Sequence, residues 1–108
     1  MKTVLLITTS SVHRQAYERG LRQYFALEFS ATTSGGSGRV DAVIYDIPDV
    51  ASPVDLEWLE NLDLPVVVLG PRDRLPWGES SRRLVLTYPV NTRRLLEALA
   101  RLGVKPEP

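Results

Sequence analysis

Four runs in the chain, TVLLIT at 3–8, DAVIYDI at 41–47, VVVLG at 66–70 and RLVLT at 83–87, are apolar with almost no polar break. A strand with one face in water alternates apolar and polar residues, whereas a continuous run belongs to a strand covered on both faces. That is the condition of a parallel sheet. The segments between the runs carry apolar residues at helical spacing, so the chain reads as α/β. A further strand is expected within 25–33, most plainly ALEFSATT at 26–33. At 108 residues the chain has material for one core and not for two.

The connecting segments are unequal. Ser10 or Ser11 offers a cap for a first helix, with Val12, Ala16, Leu21, Tyr24 and Phe25 as its apolar side. Arg14, Glu18 and Arg22 fall at i, i+4 and i+8 on its other side. Ser52-Pro53-Val54-Asp55 has the form of a helix start, Leu56, Leu59 and Leu62 give the buried side, and Leu64-Pro65 ends it. Asn91 caps the last helix, Leu95, Leu96, Leu99 and Leu102 form its apolar side, and Gly103 closes it. The domain is expected over 1–104, with KPEP at 105–108 as a tail or the start of a linker. Two crossovers are poor in helix-forming material. SGGSG at 34–38 is a flexible connection, and PRDRLPWGESSR at 71–82, with two prolines and a glycine, allows one helical turn at most.

Composition removes several kinds of function. Thirteen basic residues balance thirteen acidic ones, so no global field attracts nucleic acid or a membrane surface. Arg82-Arg83 and Arg93-Arg94 then read as parts of a solvated face. The absence of cysteine excludes disulfides and thiolate metal sites, and a single histidine, His13, reads as a surface residue and not as a metal ligand. The apolar stretch near the N-terminus is too short for a signal peptide or a membrane span, which makes the cytoplasm the expected location.

One residue stands against this bland background. In VDAVIYDIPDV at 40–50, Asp46 ends an apolar strand, and a carboxylate at that depth is costly unless a polar partner meets it. VDAVIYDIPD at 40–49 and LVLTYPVNTRRLLEAL at 84–99, taken with LPVVVLG, resemble a response-regulator receiver domain over nearly the whole chain. The resemblance implies a flavodoxin-like, doubly wound parallel five-stranded sheet in the order 2-1-3-4-5, here with the second helix missing and the fourth reduced. It also implies that Asp46 occupies the phosphoacceptor position, with any ligand at the carboxyl edge of the strands.

Receiver chemistry asks for an acid pair after strand one to hold magnesium, a hydroxyl after strand four and a lysine ending strand five. Those positions read Thr8-Thr9-Ser10, Gly70 and Tyr88, the last followed by the family's proline, Pro89. The expected site is therefore a degenerate pocket of Asp46, Thr8, Thr9, Gly70, Tyr88 and Pro89, with Asp46 kept as a polar contact. The Tyr88-Pro89 peptide is expected to be cis. No cofactor and no metal are expected. The leading reading is a non-catalytic pseudo-receiver that works by contact, as a homodimer or with another regulatory protein. Trp77, Pro76 and Arg74 of the 71–82 segment mark its contact surface. Its alternative is a flavodoxin-like binder of a phosphate-bearing small molecule in the crevice by Thr8, Thr9, Ser10 and Asp46. A working phosphoacceptor is the least expected of the three.

Overall fold

A computed structural model of the chain describes residues 1–31, 39–46, 53–74, 80 and 82–106. The elements run β1 (Thr3–Ile7), α1 (Ser11–Leu21), β2 (Ala26–Ser30), β3 (Ala42–Asp46), α2 (Pro53–Glu60), β4 (Val66–Gly70), β5 (Arg83–Thr87) and α3 (Thr92–Arg101). All neighbouring strands are parallel, in the order β2-β1-β3-β4-β5 expected from the sequence. β4 and β5 coincide with their apolar runs, and β1 ends one residue before its run does, at Ile7.

Alternation along the strands sorts the core into two layers. Val4, Leu6, Ala42, Ile44, Val67 and Leu69 point to one face and are covered by Tyr17, Leu21 and Phe25 and by Leu95, Ala98 and Leu99 of α3. Leu5, Ile7, Val43, Tyr45, Val66 and Val68 point to the other, where Leu59 is buried and Trp58, Leu62 and Leu64 are half-buried. Both faces of the central strands are thus dry, which is why their sequences do not alternate. Glu28 of the edge strand stands in register with Leu5, on the α2 side. Its Oε2 is buried with no hydrogen-bond partner among the described residues.

The caps follow local sequence. Ser10, not Ser11, caps α1, its Oγ accepting the His13 backbone N–H at 3.1 Å. Asn91 does the same for α3 through Arg94 N–H at 2.9 Å. Gly103 adopts φ 86°, so that Gly103 N–H reaches Ala100 O and Val104 N–H reaches Leu99 O, the paired closure that a left-handed residue permits. Val104 is buried behind it.

The inner face of α1 differs from the expected one. Val12 is 72% exposed, and Ala16 and Tyr24 are also exposed, while Tyr17, Leu21 and Phe25 are buried. Residues 13, 17 and 21 lie one turn apart on the line that meets the sheet, and Tyr17 and Leu21 together bury more apolar area than Val12 and Ala16 could. The helix is rotated accordingly. It packs close to α3: a Cβ on Gly20 would lie 1.8 Å from Thr92 Oγ1.

Between β2 and β3 no helix occurs among the described residues, and residues 32–38, which include SGGSG, lie outside them. After β4 a single 3-10 turn covers Arg72–Arg74. Pro76, Trp77 and the side chain of Arg74 lie outside the described residues, as do Ser52 and the side chains of Asp55 and Leu56. Among the described residues no helix is long and apolar enough to cross a membrane.

Candidate functional site: a buried aspartate at the carboxyl edge

Asp46 is the last residue of the central strand, and alternation after Ile44 turns its side chain toward α1 and α3. The residue is 3% exposed. A carboxylate so placed needs donors, and three come from three different elements. Thr8, just past β1, donates Oγ1–H to Asp46 Oδ2 at 2.7 Å. His13, in the first turn of α1, places Nδ1 2.7 Å from the same oxygen. Tyr88, just past β5, donates its hydroxyl to Asp46 Oδ1. Both oxygens are engaged.

Each donor is itself held. Thr8 Oγ1 accepts the Ser10 N–H at 3.1 Å, and the Thr8 N–H reaches Ser30 O at 3.0 Å. The His13 ring lies between two tyrosines, its centroid 5.8 Å from that of Tyr17 and 5.2 Å, edge-on, from that of Tyr88. The Tyr88 N–H reaches Gly70 O at 3.1 Å, and the Tyr88-Pro89 peptide is cis, as expected. Arg94 of α3 donates Nη1–H to Thr87 O at 3.1 Å and Pro89 O at 2.7 Å, tying down the backbone on either side of Tyr88.

The charge distribution favours neutral phenols. Burial, then the hydrogen bond to Asp46 and the charges of Asp46 and Tyr17, push the Tyr88 hydroxyl far above its ordinary range. Burial, then the Asp46 charge, does the same to Tyr17. Tyr88 is therefore a lasting hydrogen-bond donor, and it puts no cation where the family's lysine would stand.

Of the sequence-derived pocket, Asp46, Thr8 and Tyr88 come together. Gly70 contributes its carbonyl to Tyr88, Pro89 is exposed, and Thr9 is exposed beside the cluster. Ser10, a candidate for a ligand crevice, spends its hydroxyl on the helix cap. Two readings need correction. His13 is no plain surface residue, because the rotation of α1 brings it onto the sheet-facing line and against Asp46. Arg94 leaves the solvated face to cap two carbonyls, while Arg93 does remain outside, paired with Glu97 at 3.1 Å, and Arg82 pairs with Asp63 at 2.9 Å. Tyr17 was not anticipated as a neighbour of the site. The spacing of 13, 17 and 21 was the available signal.

The chain is similar to the response regulator receiver protein from Burkholderia phymatum, at 20% identity and a TM-score of 0.71, over 100% of both chains. It is similar to SdrG from Sphingomonas melonis Fr1, at 22% identity and a TM-score of 0.69, over 96% of this chain and 98% of that one. The Vibrio cholerae chemotaxis protein CheY4 matches at 19% identity and a TM-score of 0.67, over 94% of this chain and 98% of the other. No family model matches the sequence, and no curated protein does. At these identities the likeness establishes the fold, which is that of a receiver-like domain.

The magnesium ion that this fold implies does not fit the residues present. The positions after β1 are hydroxyls already hydrogen-bonded or exposed, and Asp46 has both oxygens taken. No group of three or more His, Asp or Glu side chains among the described residues could hold a metal ion. A hard dication that gives up its water reluctantly needs a richer oxygen set than this.

Proposed function

We propose that the protein is a non-catalytic signalling module of receiver fold that works in the cytoplasm by contact with a regulatory partner or a second copy. In this reading Asp46 holds the carboxyl edge together and does not take up phosphate by the magnesium-dependent route. The engagement of both Asp46 oxygens, Oδ2 by Thr8 and His13 and Oδ1 by Tyr88, supports it best. Aspartyl phosphorylation needs an oxygen free to attack, and a metal and a cation to neutralise charge on the transferring group. Here both oxygens already serve other donors, and no Lys or Arg bonds to either of them among the described residues.

Incubation with acetyl phosphate, with and without magnesium, followed by intact mass measurement is expected to show no magnesium-dependent gain of phosphate. A gain that vanishes in Asp46→Asn would overturn the reading. Beryllofluoride with magnesium is likewise expected to leave the amide NMR spectrum unchanged.

The contact surface is proposed on the α2 side, where a single eight-residue helix serves the face among the described residues. A symmetric dimer is the commonest way to cover such a face, and Arg74, Pro76 and Trp77 remain its candidates from the sequence. Sedimentation velocity at high micromolar concentration is expected to show association that Trp77→Ala weakens. A monomer throughout would leave only a foreign partner.

A further inference from the structure

We infer that His13 Nε2 is the reactive atom of this cluster, a nucleophile for small phosphoryl donors, with Asp46 as its positioning residue. The inference rests on the site read above but does not require that Asp46 be unable to accept phosphate.

The geometry fixes the imidazole in every respect that matters to a nucleophile. Asp46 Oδ2, 2.7 Å from Nδ1, accepts a hydrogen bond from that nitrogen and so assigns it the proton. In the neutral ring the lone pair then resides on Nε2. The ring plane is held between Tyr17 and Tyr88, and the backbone of His13 is fixed through Ser10 Oγ. Nε2 has no hydrogen-bond partner among the described residues, and 34% of the side chain is open to solvent against 0% for Asp46. A buried carboxylate behind a histidine whose outer nitrogen is free is the arrangement that holds a histidine in its reactive tautomer. The groups facing the ring are Asp46, Tyr17 and Tyr88, and both phenols ionise well above their ordinary range.

The step balances without a metal. With phosphoramidate as donor, in its N-protonated zwitterionic form, the Nε2 lone pair attacks phosphorus and an N–P bond forms. The P–N bond of the donor breaks with its electron pair leaving on neutral ammonia, which carries away the three protons it already held. The Nδ1 proton stays where it is, and Asp46 compensates the positive charge that the phosphorylated ring acquires.

The test is reaction of the whole chain with phosphoramidate without magnesium, read by intact mass and by the stability of the adduct. A single phosphate that survives hydroxylamine but is lost in mild acid is expected, because a phosphorylated imidazole has that stability and an acyl phosphate has the opposite one. His13→Gln is expected to abolish it. Asp46→Asn is expected to slow it at least about tenfold and to alter its pH profile, because the asparagine no longer dictates the tautomer. Wild-type chain that stays unmodified overturns the inference and leaves the reading of Asp46 intact. A hydroxylamine-sensitive adduct lost in Asp46→Asn, with no acid-labile adduct beside it, overturns the inference; the magnesium arm of the acetyl phosphate experiment tests the reading of Asp46 separately. Modification unchanged in His13→Gln overturns the inference alone. Circular dichroism of each variant separates loss of reaction from loss of fold.

Discussion

Each face of the sheet takes carboxylate oxygen out of solvent, and the two faces treat it differently. On the α1/α3 face Asp46 meets three donors from three elements. On the α2 face Glu28 keeps one buried oxygen with no partner among the described residues. The same contrast runs through the apolar packing. Among the described residues, two helices of eleven and ten residues cover the first face, and one of eight covers the second. Dense packing and polar satisfaction go together because a polar group can be met only where surrounding elements are fixed closely enough to aim at it. The aspartate cluster is thus the polar end of the better-built layer.

Core truncation gives the largest test of this contrast. Leu99→Ala, in the layer under α3, is expected to cost about 4 kcal/mol, and Leu59→Ala under α2 about 2 kcal/mol, because a less enclosed site collapses more easily. Urea denaturation followed by circular dichroism measures both, and equal losses would break the comparison. The carboxylates come next. Asp46→Ala strands three donors and is expected to cost about 3 kcal/mol, whereas Glu28→Leu removes an acceptor with no partner among the described residues and is expected to lie between neutral and about 1 kcal/mol stabilising. A large loss from Glu28→Leu in the same assay would reveal a partner for it.

The smallest effect is a slope in alkali. Tyr17 and Tyr88 ionise less readily in the folded chain than in the unfolded one, where a tyrosine ionises near pH 10.0. Above that pH the unfolded chain releases protons that the native chain keeps, so stability falls as pH rises, and below it the two phenols contribute no pH dependence. The slope is at most about 1.4 kcal/mol per pH unit for the buried Tyr17 and less for the half-buried Tyr88. Denaturation series between pH 9 and 11 check it, and Tyr17→Phe is expected to flatten the curve more than Tyr88→Phe.

The parts of this molecule that were legible in the sequence are those encoded by neighbours. The strands, the Asn91 cap and the Gly103 closure depend on residues within a few positions, and each lies where its local pattern puts it. Asp46 was legible as a question, since a carboxylate ending a buried strand demands an answer from somewhere. The answer was only half visible. Thr8 and Tyr88 follow from the strand order, but His13 sits 33 positions from Asp46, and its value on the core side of α1 cannot be seen until that partner is in place. Without it, Val12 and Ala16 look like the better inner face. Arg93 and Arg94 were inseparable for the same reason: adjacent on a helix, they point apart, and only the carbonyls of Thr87 and Pro89 distinguish them.

Those two carbonyls also tie the site to the last helix. Arg94 grips the chain immediately before and after Tyr88 from the first turn of α3, and Tyr88 grips Asp46. The helix, the corner after β5 and the aspartate are thereby joined by one unbroken chain of contacts that runs from the surface of α3 to the middle of the sheet.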